Sequence, residues 1–172
     1  MEKLLCGTCQ VAHTTLKCGL CNTPACKACV HLFDEDAFSF LPKVPAHLSK
    51  GVYCNACFEA KVAADKDSYE KTMQAARQID IYFKDQGKET RLMRREGEPF
   101  IINECADREE LILRLAFLGA LNGFSTLVDV DIVGKKVREG SYQTTIYRGS
   151  ATPANARPNQ IPKDKSIRHN PN

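Results

Sequence analysis

The sequence predicts an α+β protein made of two dissimilar parts, and three observations support that class. Eight of the nine cysteines lie in the first third of the chain. A long stretch with helical periodicity follows, and the second half then reads strand, helix, strand, strand. A length of 172 residues, with 43% hydrophobic and 26% charged residues, is ordinary for a soluble globular protein of one or two domains. We expect a cysteine-rich domain over residues 1–60, a long helix and basic linker over 58–96, a small α+β domain over 98–152 and a disordered basic tail over 153–172.

The cysteines form four Cys-x-x-Cys pairs. Two intervening residues let both sulfurs of a pair reach the same ion, and thiolates are preferred ligands of Zn²⁺. Eight thiolates complete two tetrahedral sites with no position left for water, which is the arrangement of structural rather than catalytic zinc. The sequence therefore predicts two zinc ions, with iron as an open alternative at a cysteine-only site. The predicted ligands are Cys6, Cys9, Cys18, Cys21, Cys26, Cys29, Cys54 and Cys57.

Disulfides and a redox dithiol are the two alternative roles for these cysteines. A disulfide framework does not require one repeated spacing, and the sequence given begins Met1-Glu2-Lys3 without an apolar leader segment. A thioredoxin-like pair is typical of a βαβ context, and no such pattern surrounds these pairs. We accordingly expect reduced, metal-bound cysteines in a cytoplasmic protein.

The gaps between the pairs bear on which pairs share an ion. They are eight, four and twenty-four residues long. The four-residue link between Cys21 and Cys26 is too short for adjacent pairs to share a metal and still bury a core. This favours an interleaved arrangement, in which the first and third pairs bind one ion and the second and fourth pairs bind the other. Sequential pairing stays open at this point.

This spacing resembles that of the cross-brace, treble-clef zinc fingers of the FYVE, RING and PHD class, and it is closest to FYVE. The resemblance implies a structural zinc module that binds a partner. A FYVE finger reads phosphatidylinositol 3-phosphate with a basic run before its third cysteine, whereas residues 14–17 of this chain contain Lys17 as their one cation. A RING normally uses a histidine ligand, but His13, His31 and His47 lie outside the eight-cysteine set. Phosphoinositide or membrane-surface binding and a RING-like ubiquitin-ligase component are therefore the alternatives to a protein adaptor.

Two segments after the third pair carry further apolar residues. Between His31 and Leu48, aromatic residues such as Phe33 and Phe38 either pack on the metal module or form an exposed loop that grips a partner; we favour packing. From Asn55 the apolar residues recur at spacings of three, four and seven, without Gly or Pro until Gly87. This predicts a helix of about 30 residues, followed by a solvated basic linker. The predicted apolar stripe comprises Phe58, Val62, Tyr69, Met73, Ala76 and Phe83.

The second domain is predicted to place one helix on a three-stranded sheet. The strands are Phe100–Ile102, Leu127–Val133 and Tyr142–Tyr147. Asp107 is the expected N-cap of the helix, with Glu110 three residues later, and Asn122-Gly123 ends it.

Residues 98–153 resemble the small bacterial YbjQ-like domains, on the run from Gly123 to Val130 after an apolar helix. That family is described as oligomeric and possibly heavy-metal-binding. Cys105 is the only cysteine here and is expected to be a packed apolar side chain. Asp129 and Asp131 lie two residues apart on a predicted strand; they either form a carboxylate pair or line a solvent face, and we favour the second.

The sequence contains no recognisable catalytic motif, so we expect a non-enzymatic adaptor that binds a protein partner. The long helix or the α+β domain is expected to offer a surface for a second copy of the chain. A net charge of +3 is too small to imply nucleic acid by itself, and nucleic-acid binding by the zinc module and the basic tail is kept only as a minor alternative to a protein partner. Membrane lipid is not an expected partner, because the basic run that reads an anionic headgroup is missing. The tail after Thr152 is expected to be solubilising.

Overall fold

The computed structural model describes residues 4–11, 13–88, 90–155 and 167–168. The chain divides into two compact units, residues 1–70 and 71–172. The described residues form three α-helices and several β-sheets, so the predicted mixed class is confirmed at that level. None of the described helices combines the length and the apolar character needed to cross a lipid bilayer.

Unit 1 is built from short strands and turns around the cysteines. Its two sheets are antiparallel and two-stranded, and pairs of this size are marginally stable by themselves. Another interaction must therefore hold them in place. The elements are β1 (Leu4–Leu5), β2 (His13–Thr14), a 3₁₀ turn over Lys27–Cys29, β3 (Val30–Leu32), β4 (Val52–Cys54) and α1 (Asn55–Lys61).

The aromatic segment between residues 31 and 48 packs inward. Phe38 and Leu48 are 4% exposed, and both lie in one cluster with Tyr53, Phe58 and Val62. Phe33 contacts the rings of Phe38, Tyr53 and Phe58 at centroid distances of 5.6 to 6.1 Å. This is the packing interpretation favoured from the sequence, and it removes these large side chains from the exposed surface of the loop.

The prediction of one helix of about 30 residues is wrong. Helix α1 ends at Lys61, α2 runs over Ala63–Ala76, and β5 (Asp80–Phe83) follows. Ile81 and Tyr82 are at most 1% exposed. A run of β-branched and aromatic residues that can be buried on both faces of a sheet favours a strand, and this burial outweighs the helical spacing of the same residues.

Unit 2 contains a five-stranded sheet rather than the predicted three strands. Its order is β6-β8-β7-β5-β9, with β5 parallel to β7 and every other pair antiparallel. Strand β9 lies within the tail predicted to be disordered; residues 156–166 and 169–172 of that tail lie outside the described residues. The elements after β5 are β6 (Phe100–Cys105), α3 (Arg108–Leu121), β7 (Thr126–Glu139), β8 (Tyr142–Ala154) and β9 (Ile167–Arg168).

Helix α3 covers one face of this sheet and has the predicted ends. The Asp107 side chain accepts a hydrogen bond from the Glu110 N–H at 2.7 Å, and Gly123 has φ +77° after the last turn. The helix approaches the strands closely at Gly149, where an added Cβ would lie 3.0 Å from Leu111 Cδ2. Leu111 and Leu115 are at most 1% exposed, so the core of unit 2 lies between α3 and the sheet.

The segment predicted as a solvated basic linker packs on the opposite face. Met93 is 3% exposed and lies in a cluster with Tyr82 and Val128. Arg95 holds Asp129 through two hydrogen bonds, Nε–Oδ2 at 2.7 Å and Nη2–Oδ1 at 2.9 Å. The linker prediction is wrong because Met93 packs on this side of the sheet and Arg95 pairs with a carboxylate of β7.

The two aspartates of β7 do not form a carboxylate pair. A β-bulge falls between Val128 and Asp131, and Asp129 within it has φ +53°. Asp129 pairs with Arg95, whereas Asp131 pairs with Lys84 Nζ at 3.4 Å. The bulge interrupts the regular alternation of faces, so each carboxylate has its own cation.

Candidate metal centres

The structure brings the eight paired cysteines into two separate tetrads. In each tetrad the four Sγ atoms all lie within 4.8 Å of one another. The first and third pairs form one tetrad and the second and fourth form the other, which is the interleaved grouping that the gap lengths favour. Site 1 is Cys6, Cys9, Cys26 and Cys29, and site 2 is Cys18, Cys21, Cys54 and Cys57.

The sulfur spacing fits a tetrahedral ion. Cys9 Sγ lies 3.9 Å from Cys26 Sγ, and Cys21 Sγ lies 3.7 Å from Cys54 Sγ. Four sulfurs at about 2.3 Å from a tetrahedral zinc are about 3.8 Å apart. None of the nine cysteines, all of which lie in the described part of the chain, forms a disulfide. The donor set and its geometry therefore suit one four-coordinate ion per tetrad.

The first pair of each tetrad sits in the same kind of tight turn. The carbonyl of Cys6 accepts from the N–H of Gln10 at 2.9 Å, and the carbonyl of Cys18 accepts from the N–H of Asn22 at 2.9 Å. Gln10 has φ +60° and Asn22 has φ +59°. This left-handed residue directly after the second cysteine closes the turn and directs both sulfurs to one side. We call these two turns knuckle 1 (residues 6–10) and knuckle 2 (residues 18–22).

Each knuckle has a glycine after its first cysteine, and the backbone of another segment approaches it there. The Gly7 N–H donates to Pro24 O at 2.7 Å, and the Gly19 N–H donates to Val52 O at 2.8 Å. An added Cβ would lie 2.4 Å from Thr23 Cγ2 at Gly7 and 2.7 Å from Lys50 Cβ at Gly19. Both accepting carbonyls lie two residues before the first cysteine of the pair that completes the tetrad. These glycines therefore let each knuckle dock against its partner pair.

The second pair of each tetrad begins a helical turn. Cys26 precedes the 3₁₀ turn, where the Cys29 N–H donates to Cys26 O at 2.9 Å. Cys54 is the N-cap residue of α1, and Cys57 lies in the first turn of that helix. The backbone N–H of Cys57 at this helix start favours the Cys54 thiolate, but burial outweighs it and raises the pKa of Cys54.

Burial differs within every pair. The first cysteine of each pair is buried, and the second lies nearer the surface. The buried members of both tetrads belong to one cluster, Cys6, Cys18, Ala25, Cys26 and Cys54. The two sites thus share the interior of unit 1, whose other apolar cluster among the described residues is the aromatic one.

Neighbouring groups lower the pKa of some of the cysteine thiols and raise the pKa of others. The backbone N–H groups of Cys9 and then Cys26 lower the pKa of Cys6 to about 6. The hydroxyl of Thr23, 3.2 Å from Cys21 Sγ, is the main cause that lowers the pKa of Cys21 to about 6.

The opposite holds for one thiol of each completing pair. The Cys26 side chain is the main cause that raises the pKa of Cys29 to about 12, and burial is the main cause that raises the pKa of Cys57 to about 12. Each tetrad therefore combines thiolate and thiol near neutral pH. A bound dication lowers the pKa of coordinating thiols, so binding expels the remaining protons.

The described histidines lie outside both tetrads. His13 is an exposed residue of β2, and His31 stacks on Phe58 with ring centroids 3.7 Å apart. His47 Nε2 lies 2.6 Å from Asp65 Oδ2. Cys105 also lies apart, 7% exposed in β6. Each has the packing or surface role expected from the sequence.

Sequence analysis did not identify the residues that surround the ligands. Gly7 and Gly19 occupy the same position in two Cys-Gly-x-Cys repeats, and this repetition is the signal that marks them. Thr23 carried no such signal, because its contact with Cys21 depends on the turn that follows knuckle 2.

No family model, curated protein or solved structure matches this chain. The likeness to FYVE-class fingers and to YbjQ-like domains therefore stays a prediction based on spacing and sequence pattern.

Proposed function

We propose that this chain is a zinc protein whose two sites are structural and whose role is to bind a protein partner without catalysing a reaction. The observation that carries the proposal is the pair of closed all-cysteine tetrads. Four thiolates fill a tetrahedral zinc, and no coordination position remains for water or substrate. A metal in this setting stabilises a fold and leaves the surface to perform the function.

Zinc supplies the stability that unit 1 otherwise lacks. Its sheets have two strands each, and its apolar interior beyond the cysteines is one aromatic cluster. Structural zinc binding contributes about 10–16 kcal/mol at neutral pH, as much as the whole folding free energy of a typical domain, about 5–15 kcal/mol. A reducing compartment such as the cytoplasm would keep the thiolates available.

The surface that we assign to the partner lies around knuckle 1. The loop between residues 31 and 48 turns its large aromatic side chains inward, so it is not the apolar surface that the sequence offered as an alternative. Leu4, Leu5 and Val11 are instead 40%, 48% and 80% exposed. Leu4 and Leu5 of β1 and Val11 flank knuckle 1 in the chain, and exposed apolar side chains favour a protein partner with an apolar patch.

Elemental analysis and affinity capture test the two parts of this proposal. Purified chain should contain about two zinc ions, and one metal per tetrad follows from closed four-coordinate sites. A protein captured by zinc-loaded chain should be lost with Val11→Asp and retained with Val44→Asp, since Val44 is 37% exposed and lies outside the Leu4, Leu5 and Val11 surface. Equal capture by both variants would exclude this surface, and a metal content near zero would exclude the structural sites.

A further inference from the structure

The hairpin of β7 and β8 extends well beyond the core of unit 2. From Asp131 opposite Ser150 to Glu139 opposite Tyr142 the two strands pair without a register shift. Among the described side chains of residues 133–148, none is buried. We call this part, residues 133–148, the ribbon. The strands predicted from the sequence, Leu127–Val133 and Tyr142–Tyr147, have about half the lengths of β7 (14 residues) and β8 (13 residues). The projecting hairpin was therefore not predicted.

The ribbon has a local excess of positive charge, as residues 153–172 also have. The whole sequence has 24 Lys and Arg against 21 Asp and Glu. The ribbon contains four of these cations and one of these carboxylates, so the rest of the chain is balanced at 20 of each. Among the described side chains, no ion pair involves any of the four cations. They are Lys135, Lys136, Arg138 and Arg148, and all four are exposed.

The four cations lie on both faces of the ribbon. Gly149 faces α3, since its Cβ would contact Leu111, and the regular pairing places Lys136 and Arg138 on that same face. Lys135 and Arg148 occupy the opposite face. Residues two apart on a strand are about 6.6 Å apart, so each face presents separated charges rather than one cluster. A ribbon with cations on both faces can lie between two rows of negatively charged groups.

We propose that the ribbon is a nucleic-acid interface that enters the major groove of duplex DNA with its turn first. The major groove is about 12 Å wide and accommodates a two-stranded β-ribbon, and a ribbon with its side chains is about 10 Å thick. The groove is about 8.5 Å deep. Arg138, Lys136 and Lys135 lie about 3, 10 and 13 Å from the turn pair, so their side chains reach the phosphates from both faces. Arg148, at about 20 Å from the turn pair, does not. The turn brings Tyr142, 79% exposed, and Gln143 toward the base edges. An A-form RNA major groove is too narrow for side chains to read, so RNA duplexes do not fit.

This inference departs from the expectation that nucleic acid is only a minor alternative to a protein partner. That expectation depended on a small net charge, which averages over the chain. Electrostatic attraction depends on where the charge lies, and the structure places four cations against one carboxylate on this hairpin. The inference is independent of the role of the metal sites.

Fluorescence anisotropy with a labelled 20-base-pair duplex and the zinc-loaded full chain tests the proposal. Three phosphate contacts give a slope of about −2.7 for log affinity against log salt, so binding weakens about 40-fold between 50 and 200 mM salt. Lys136→Gln with Arg138→Gln removes two contacts and should reduce that loss to about 3.5-fold. The matched control is Lys43→Gln with Lys61→Gln, which changes the net charge equally at exposed residues outside the ribbon and should keep the parent slope.

Several outcomes would overturn the proposal. Equal slopes for the ribbon and control variants would show that the ribbon does not contact phosphate. Binding that is lost instead when Arg157, Lys163 and Lys165 of the tail become Gln would assign it to the tail. Tighter binding to an RNA duplex than to DNA would contradict the groove fit, and ribbon-dependent dimerisation without DNA binding would assign this element to a second copy. Circular dichroism and zinc content that match the parent chain exclude misfolding as the cause of a lost signal.

Discussion

Replacing Gly7 by alanine tests how the two metal sites are joined. The new methyl group would lie 2.4 Å from Thr23 Cγ2 and 3.3 Å from Pro24 O. Thr23 cannot turn its methyl away freely, because a β-branched side chain is stiff at χ1 and its hydroxyl lies 3.2 Å from Cys21 Sγ. A substitution in knuckle 1 of site 1 should therefore disturb a ligand of site 2.

The expected loss follows from two contacts. Overpacking a tight site costs about 1–3 kcal/mol, and weakening the 2.7 Å hydrogen bond from Gly7 to Pro24 O costs about 1 kcal/mol more. Metal binding and folding are coupled in such a module. A total of about 2 kcal/mol or more corresponds to at least about a 30-fold fall in apparent zinc affinity.

Competition with a chromogenic chelator measures that affinity for each zinc ion. Gly51→Ala is the control in the same unit, because an added Cβ there would lie 3.4 Å from Phe33 O, an ordinary contact. Adding Thr23→Ser to Gly7→Ala removes the clashing methyl but keeps the hydroxyl, so it should restore part of the affinity at site 2. Equal zinc affinities for Gly7→Ala and Gly51→Ala would refute the reasoning, as would a loss confined to site 1.

Four further predictions follow from individual side chains. Gln10→Val should destabilise the zinc-loaded chain to urea by more than Gln10→Gly, because φ +60° is a genuine outlier for a β-branched residue; equal midpoints would contradict this. Zinc binding at pH 7 should release at least one proton per site, since the pKa values of Cys29 in site 1 and Cys57 in site 2 are raised to about 12, and calorimetry in buffers of different ionisation enthalpy measures the release. The pKa values of Cys6 and Cys21 are lowered from 9.0 to about 6, so their thiolates stabilise the fold fully above about pH 9, and stability and zinc affinity should both fall as pH drops from about 9 through about 6; a flat profile over that range would contradict the assignment. Leu115→Ala should cost about 2–5 kcal/mol in unit 2, because this side chain is 1% exposed, while zinc content stays at the parent value; a loss of zinc would show that the units do not fold separately.

The cysteine spacing was informative because it expresses a local constraint. A gap of four residues between Cys21 and Cys26 restricts which pairs can share an ion, and this holds before any tertiary contact forms. The ends of α3 were predicted for the same reason. Asp107 and Gly123 satisfy backbone requirements of the helix itself.

The strand β5, which was predicted to be helical, forms because of contacts with residues distant in sequence. Residues 79–83 match a helical stripe and a strand equally well, and the choice is made by pairing with β7 and by burial of Tyr82. Met93 lies in a segment whose composition is that of a polar linker, and it is buried because it packs on the sheet face formed by Tyr82 and Val128. The linker's own sequence does not show that this face exists. The same holds for Asp129, whose position in a bulge depends on the register of β8.

X-ray absorption at the zinc edge, combined with metal content, tests the central claim most directly. Two tetrahedral sites should give two zinc ions per chain, each with four sulfur neighbours at about 2.3 Å. Substituting Cys26 or Cys54 by serine should remove one sulfur from one site and leave the other site intact. One metal or none per chain, or a first shell containing nitrogen or oxygen in the parent protein, would contradict the assignment of the eight cysteines to two closed tetrads.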